Sequence, residues 1–354
     1  MRIVLYGATG FTGRLTAEAL VAADVELTVA GRDAEGVHAL ARRLGCHGAV
    51  ASATPRELAP VFAGAAVVVS CAGPFRVIGR TVAEAAIAAG AHYVDSTGEP
   101  AFMRVVLGEL DAPATATGVA LVTACGFDYL PADLAATVLR DRLGPLRSLD
   151  YAYWTSGRST AGTRRSVLDV LRGDAPVVCG GRLAEQRPFS AVRSFAFEAG
   201  RRRATLLPFG DPLLAHHRLD VDRAVAWGVV STVGRHAARA ALPLLRTVLR
   251  TPAGRIASAA SDRIGADPHT RDRGAARFTI RVEATSRDGR SGSVELSGHD
   301  PYGLTARALA LRARGLAHDA AVVPGARSPA DGLDARAVLA GLGVRLHERP
   351  PASV

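Results

Sequence analysis

The sequence predicts an α/β protein: an N-terminal doubly wound parallel sheet over residues 1–124, then an α+β second domain over 125–299 with an antiparallel sheet. Three observations predict it. Short apolar runs alternate with helical patterns through the first third, as βαβ units do. A glycine-rich turn follows the first run and opens the first helix. After Cys125 the runs lengthen and alternate polar with apolar residues, the pattern of half-buried antiparallel strands. A chain of 354 residues also suits two domains of roughly 150 residues each.

Strands of the first domain are expected at Arg2–Tyr6, Glu26–Ala30, Gly48–Ser52, Ala66–Ser70, His92–Asp95 and Val119–Thr123. Helical stretches fall between them, at about 11–22, 34–44, 76–89 and 101–116. Six strands joined by crossover helices make one sheet wound in both directions. In the second domain Leu149–Thr155, Ala191–Glu198, Arg202–Leu207, Arg277–Thr285 and Ser291–Ser297 read as strands. The last two flank Arg287-Asp288-Gly289-Arg290, whose Asp-Gly pair suits a hairpin turn. A helical, arginine-studded region is expected at 221–262. Tyr302–Leu316 reads as a helix, and the segment 300–354 is expected to pack back on the first domain. Arg349-Pro350-Pro351 reads as a loose tail.

Composition excludes whole classes of chemistry. There is no lysine and no asparagine, so all 43 basic residues are arginine. Schiff-base and PLP mechanisms need a lysine amine, the phosphate-binding P-loop needs its lysine, and short-chain dehydrogenases need a tyrosine–lysine pair. Aromatic residues make up 5%, too few for a surface that stacks nucleic-acid bases. The net charge of +10 is spread along the chain, which suits a solvated basic surface, a phosphorylated cofactor or an acidic protein partner. Cys46, Cys71, Cys125 and Cys179 lie far apart with no C-x-x-C spacing, so reduced thiols are expected and no metal site. The adjacent rings of His216 and His217 diverge and make a poor chelate. Met1-Arg2 runs straight into the apolar strand Ile3 to Tyr6, and the longest apolar stretch, around Ala224 to Val233, is well short of the ~20 residues that span a bilayer. The expected location is the cytoplasm.

The motifs carry a cofactor. Gly7-Ala8-Thr9-Gly10-Phe11-Thr12-Gly13 sits between the first strand and first helix. Glycines there let backbone N–H groups approach a pyrophosphate, and the helix N-terminus favours its charge. The spacing is G-x-x-G-x-x-G rather than G-x-G-x-x-G; the alternative reading is a tight turn without a ligand. The second strand ends Ala30-Gly31-Arg32-Asp33. NAD-binding folds of this Rossmann type place an acid at that tip, whereas an arginine there accommodates the 2′-phosphate of NADP. The alternative is that Arg32 is a solvated loop residue and Asp33 caps the next helix. Ser70, Cys71, Ala72 and Gly73 end the fourth strand, where small residues let a nicotinamide lie against the backbone; Cys71 also reads as a small buried filler.

These segments carry a family resemblance. Gly7 to Gly13, Ala72-Gly73-Pro74-Phe75, His92-Tyr93-Val94-Asp95-Ser96-Thr97-Gly98-Glu99 and Gly126-Phe127-Asp128-Tyr129-Leu130-Pro131 occur in that order. With Asp300-Pro301-Tyr302-Gly303-Leu304-Thr305-Ala306, they resemble the saccharopine dehydrogenase-like reductases, and within them the trans-acting enoyl reductase branch. The resemblance implies NADP at the glycine loop, hydride transfer to an activated C=C or a C=N bond, and a C-terminal helix returning to the first domain. Such a reduction needs a proton as well as a hydride. Tyr129 and Asp128 are the candidate donors, beside the reading that Asp128 caps the helix starting near Pro131. Glu99, before Pro100, has a similar capping alternative. A non-catalytic NADP-binding sensor or interaction protein is the rival function. The basic region at 221–262 reads as a helix packed on the second domain or on a twin subunit of a homodimer; it also suits a membrane surface, an acidic partner, or a lid that guides an acyl chain while its arginines meet an acidic carrier protein.

Overall fold

The structure, a computed structural model, describes residues 1–156, 170–251, 274–319 and 321–352. It divides into two compact units, Met1–Leu130 with Tyr302–Asp331 and Pro131–Pro301 with Gly332–Val354.

The first unit is a parallel sheet. Its strands are β1 (Arg2–Tyr6), β2 (Glu26–Gly31), β3 (His47–Val50), β4 (Val67–Ser70), β5 (His92–Asp95), β6 (Ala120–Val122) and, far along the chain, β15 (Gly325–Arg327). Their spatial order is β15-β6-β5-β4-β1-β2-β3, so the winding reverses between β1 and β4. Ile3, Val4, Leu5, Val67, Val68 and Val69 are fully buried, because helices cover both faces of such a sheet and leave no polar side. Those helices are α1 (Phe11–Val21), α2 (Ala34–Leu44), α3 (Pro55–Phe62), α4 (Phe75–Ala88), α5 (Pro100–Arg104) and α6 (Asp111–Ala116).

Two features differ from the sequence expectation. The short α3 was not expected, though its start carries a capping box: Glu57 N donates to Thr54 Oγ1 at 3.4 Å, and Glu57 Oε2 accepts from Ser52 N at 2.8 Å. The single helix expected over 101–116 is interrupted by a π-helical turn at Val105–Glu109. Pro113 has no N–H to offer the Glu109 carbonyl, so an unbroken α-helix cannot pair there.

Residues 302–331 close the first unit. The helix Pro301–His318 buries Leu304, Ala308, Leu309 and Ala313. The strand β15 adds beside β6, and Asp111 Oδ1 holds it by accepting from Ala326 N at 2.7 Å. The segment expected to return as a whole from 300 to 354 therefore divides, since 332–354 belongs with the second unit.

The second unit begins with α7 (Leu130–Leu143) and carries a nine-stranded sheet. Its strands are β7 (Leu146–Thr155), β8 (Ala175–Cys179), β9 (Arg182–Gln186), β10 (Val192–Phe197), β11 (Gly200–Leu206), β12 (Arg223–Val229), β13 (Arg277–Ser286), β14 (Ser291–His299) and β16 (Arg345–Ala352). The main order is β10-β11-β12-β7-β13-β14-β16. It is mixed rather than antiparallel throughout, because β12 runs parallel to β7. The helical expectation over 221–262 fails at its start for the same reason. Ala224 to Trp227 are buried in β12, and a strand apolar on both faces has no period to tell it from a buried helix. A helix does follow at Thr232–Arg250; residues 252–262 lie outside the described residues.

Ion pairs and aromatic packing brace this sheet. Asp150 accepts from Arg223 Nη2 at 2.9 Å and from Trp227 Nε1 at 2.8 Å, and also pairs with Arg193. Phe195, Phe197, Trp227 and Leu206 are buried beside Ala152. The expected tail Arg349-Pro350-Pro351 lies in β16, paired with β14. Two adjacent prolines are tolerated there because the ladder with β14 is irregular at that point, its register shifting between Ser291 and Ser293. Among the described residues no helix is long and apolar enough to cross a membrane.

Candidate active site

The site is built at the carboxyl ends of the first unit's strands, where β1 and β4 diverge. Chain reversal after β1 needs Gly7. Its φ is +81°, and a Cβ there would lie 2.6 Å from Ala72 N. Gly7 N and Ala8 N donate to Ala30 O at 2.9 and 3.1 Å, fixing the loop to β2. Gly13 is needed for a different reason: a Cβ would come within 2.2 Å of Gly7 O, so α1 could not pack down on the loop.

Gly10 has no such internal cause. A Cβ there would meet only Gly7 O, at 3.4 Å, and Gly73 on the facing loop is equally open. Gly10 is the N-cap of α1, and no side chain caps that end. Glycine where the chain's own packing does not demand it, beside an uncapped helix N-terminus, makes a cradle that fits a pyrophosphate. The N-terminus of α4 behaves differently. Glu99, buried, accepts from Phe75 N at 3.1 Å and from Arg76 N at 2.8 Å, filling that end with a carboxylate of the chain itself. Glu99 thus caps α4 rather than the helix beginning at Pro100 beside it.

At the end of β2, Asp33 caps α2 by accepting from Gly36 N at 3.2 Å. Arg32 next to it is exposed, and no hydrogen bond or ion pair engages its guanidinium among the described residues. The capping reading of Asp33 therefore holds, and Arg32 is exposed beside it.

Beyond β4, β5 and β6 the side chains are tightly placed. Asp95 is fully buried and its Oδ1 accepts from Thr97 N at 2.8 Å, Ala124 N at 2.9 Å and Thr123 Oγ1 at 3.3 Å. That grip holds Ala124 at φ +60° and so shapes the loop after β6. Burial pushes the Asp95 carboxyl up to about 6. Asp95 Oδ2, Ser70 Oγ and Tyr93 Oη are buried close to one another, Tyr93 interacting with both. Desolvation also raises the Cys71 thiol to about 11 and the Cys125 thiol to about 12, so neither ionises near neutrality. Cys71 Sγ rests 3.7 Å from Thr16 Oγ1, a packing role.

The two candidate proton donors separate. Tyr129 is buried, and its hydroxyl donates to Gly98 O at 3.1 Å, which commits that proton to the backbone. Asp128 is reached by solvent, yet desolvation pushes its carboxyl up to about 6, the behaviour of an acid inside a crevice. Its Oδ2 stands over Gly98, where a Cβ would lie 3.3 Å away.

The returning helix holds two of these loops. Tyr302 meets Phe11 edge-on with ring centroids 5.2 Å apart, and Thr305 Oγ1 accepts from Phe127 N at 3.0 Å. A Cβ on Gly126 would lie 3.3 Å from Thr305 Cγ2. The sequence singled out the segment Asp300 to Ala306 but gave Tyr302 and Thr305 no task; only the fold brings them to the glycine loop and to the Asp128 loop.

Residues 3–122 match the family model described as the saccharopine dehydrogenase NADP binding domain. The N-terminal domain is thus similar to that family over about a third of the chain. The cofactor of this saccharopine dehydrogenase-type domain is accordingly NADP. A protein of Mycobacterium tuberculosis named as a trans-acting enoyl reductase is 38% identical over 183 residues, 48% of this chain and 44% of that protein. The trans-acting enoyl reductase of Mycobacterium leprae is 36% identical over 185 residues, 47% of this chain and 44% of its own. A lipid droplet localized protein of Caenorhabditis elegans is 32% identical over 211 residues, 54% of this chain and 50% of its own. The chain thus matches about half the length of these curated relatives or less. The whole saccharopine dehydrogenase-like fold is shared with the saccharopine dehydrogenase (L-Glu forming) of Saccharomyces cerevisiae. That likeness has a TM-score of 0.66 and 15% identity, and covers 99% of this chain and 100% of that one.

Proposed function

We propose that this protein is an NADPH-dependent reductase that saturates an activated C=C bond, an enoyl group presented on a carrier or as a small thioester. The observation that carries the reading is the cradle of Gly10 and the uncapped α1 N-terminus at the switch point of the sheet, with Asp128 the solvent-reached acid on the same strand-end surface. The names of the mycobacterial relatives favour the enoyl over the imine substrate.

When bound, NADPH supplies the hydride. The chain's own residues do the rest. The N–H groups of Phe11, Thr12 and Gly13 would take the pyrophosphate, with Phe11 steadied by Tyr302. Arg32 takes the ribose 2′-phosphate; Ser70, Cys71, Ala72 and Gly73 form the wall for the nicotinamide half. Asp128, half-protonated near pH 6, delivers the proton to the substrate carbon that hydride addition leaves electron-rich. Tyr129 and Asp95 position the loops that carry it.

The test is turnover by the purified chain. NADPH oxidation is expected with an enoyl thioester and not with an imine formed from an amino acid and an aldehyde, and NADPH should bind more tightly than NADH. Arg32→Ala should weaken NADPH about tenfold or more and leave NADH nearly unchanged, the loss expected of one charge-assisted contact. Binding of NADPH with turnover of neither substrate would favour the sensor reading, and equal affinity for both cofactors would remove Arg32 from the site.

A further inference from the structure

One rung of the first unit's sheet is made by a side chain. Where β6 begins beside β5, Ala120 N donates to Nδ1 of His92 at 3.0 Å. A backbone N–H can only donate, so Nδ1 carries no proton and the ring is the neutral tautomer with its hydrogen on Nε2. Ala120 is fully buried and His92 half-buried. The rest of the ladder between these strands is short, Tyr93 beside Leu121 and Val94 beside Val122. β6 nevertheless carries β15 along its other edge, with Gly325 beside Ala120 and Gly325 N donating to Val119 O at 2.8 Å. It also leads straight into the run from Thr123 to Asp128.

We infer that the bond between His92 and Ala120 is an acid-sensitive latch: protonation of the imidazole releases the start of β6 from β5 and loosens β15 with it. In the imidazolium both ring nitrogens carry hydrogens, so Nδ1 no longer accepts and Ala120 N is left buried without a partner. Turning the ring over puts only a carbon in that place. No nearby charge compensates. Val67, beside His92 on β4, and Ala120 on β6 are apolar, while Tyr93 and Asp95 alternate to the other face of β5. Asp111 of α6 is engaged by Ala326 N. Burial alone acts on the imidazole, and it holds the pKa below the ordinary histidine value. The folded state therefore binds this proton less tightly than the unfolded chain does. The stabilisation is fully present above about pH 6.5 and is lost as pH falls below that toward the lowered folded value.

The experiment is hydrogen–deuterium exchange of the full chain at about pH 7.5 and about pH 5, corrected for intrinsic exchange rates and read on peptides that cover β6 and β15. Protection of these amides is expected to fall about tenfold at the lower pH, the effect of one buried donor left unpaired, while β1 and β4 keep theirs. His92→Asn puts an oxygen where Nδ1 stands and does not titrate, so its β6 should be protected equally at both values. His92→Leu offers no acceptor, and its β6 should be poorly protected at both. Wild-type protection that is the same at the two pH values would overturn the inference. So would a His92→Asn protein that loses protection in acid as the wild type does. Should a substitution prevent folding, NMR titration of the wild-type ring decides: a His92 pKa at or above the ordinary value of about 6.5 would overturn the latch, and a lower one, with the Ala120 amide losing protection as the ring titrates, would support it.

Discussion

Two carboxyls, Asp95 and Asp128, share the same upward shift, and in the proposed reaction pH separates their roles. Asp128 must be protonated to donate, so turnover should fall as pH rises through about 6. Asp128→Asn should lower turnover by roughly 100-fold and flatten that limb, with KM for NADPH unchanged. An unaltered pH profile would remove it from the chemistry. Asp95 acts on stability instead. Its folded pKa, about 6, lies above the unfolded carboxylate value, so the native state holds this proton the more tightly. The group's contribution is fully present below about pH 4 and is lost as pH rises through about 6. Asp95→Asn keeps an oxygen for Thr97 N and Ala124 N and removes the ionisation. Relative to wild type it should gain roughly 2–3 kcal/mol between pH 4 and pH 7, read from urea unfolding at both values. A difference independent of pH would contradict the assignment.

At the scale of the element, the turn from β1 into α1 contains three glycines with different reasons to be glycine. Gly7 and Gly13 serve the chain's own packing, whereas a Cβ on Gly10 would meet only Gly7 O, at the ordinary contact distance of 3.4 Å. Gly10→Val should therefore abolish NADPH fluorescence enhancement while circular dichroism stays that of the wild type. Gly13→Ala should act the other way round, lowering Tm by several degrees because a methyl 2.2 Å from Gly7 O must push α1 off the loop. Normal NADPH binding by Gly10→Val would place the pyrophosphate elsewhere. The capping of α4 by Glu99 belongs to the same logic: one strand-end helix is closed by the chain's own carboxylate and the other left open.

At the scale of the whole molecule, the first unit is discontinuous in sequence. Residues 1–130 alone would leave β6 as an open edge and lose the packing of Tyr302 on Phe11 and Thr305 on the Asp128 loop. A fragment of residues 1–130 should consequently aggregate or melt well below the full chain, and should not bind NADPH. A fragment that stays monomeric and binds the cofactor normally would show that the returning helix and β15 are dispensable.

The order of the first six strands, the glycine turn, the arginine at the tip of β2 and the hairpin of β13 and β14 were legible in the sequence, because each depends on neighbours in the chain: periodicity, turn residues, a helix start. The short α3 was equally local, announced by Thr54 and Glu57, and was overlooked. Other decisions were not local. Whether Ala224 to Trp227 formed strand or helix depended on burial on both faces. Whether Arg349 to Pro351 hung free depended on β14 offering an edge. Asp128 and Tyr129 stand side by side in the sequence with the same claim to a proton, and only the position of the Gly98 carbonyl divides them. Sequence determined the first unit's strands and the glycine turn that points to the cofactor, since local sterics and backbone chemistry fix them; tertiary structure decided the elements that depend on burial or on an offered edge, and which polar groups were spent on the chain itself, since that depends on partners brought together from distant segments.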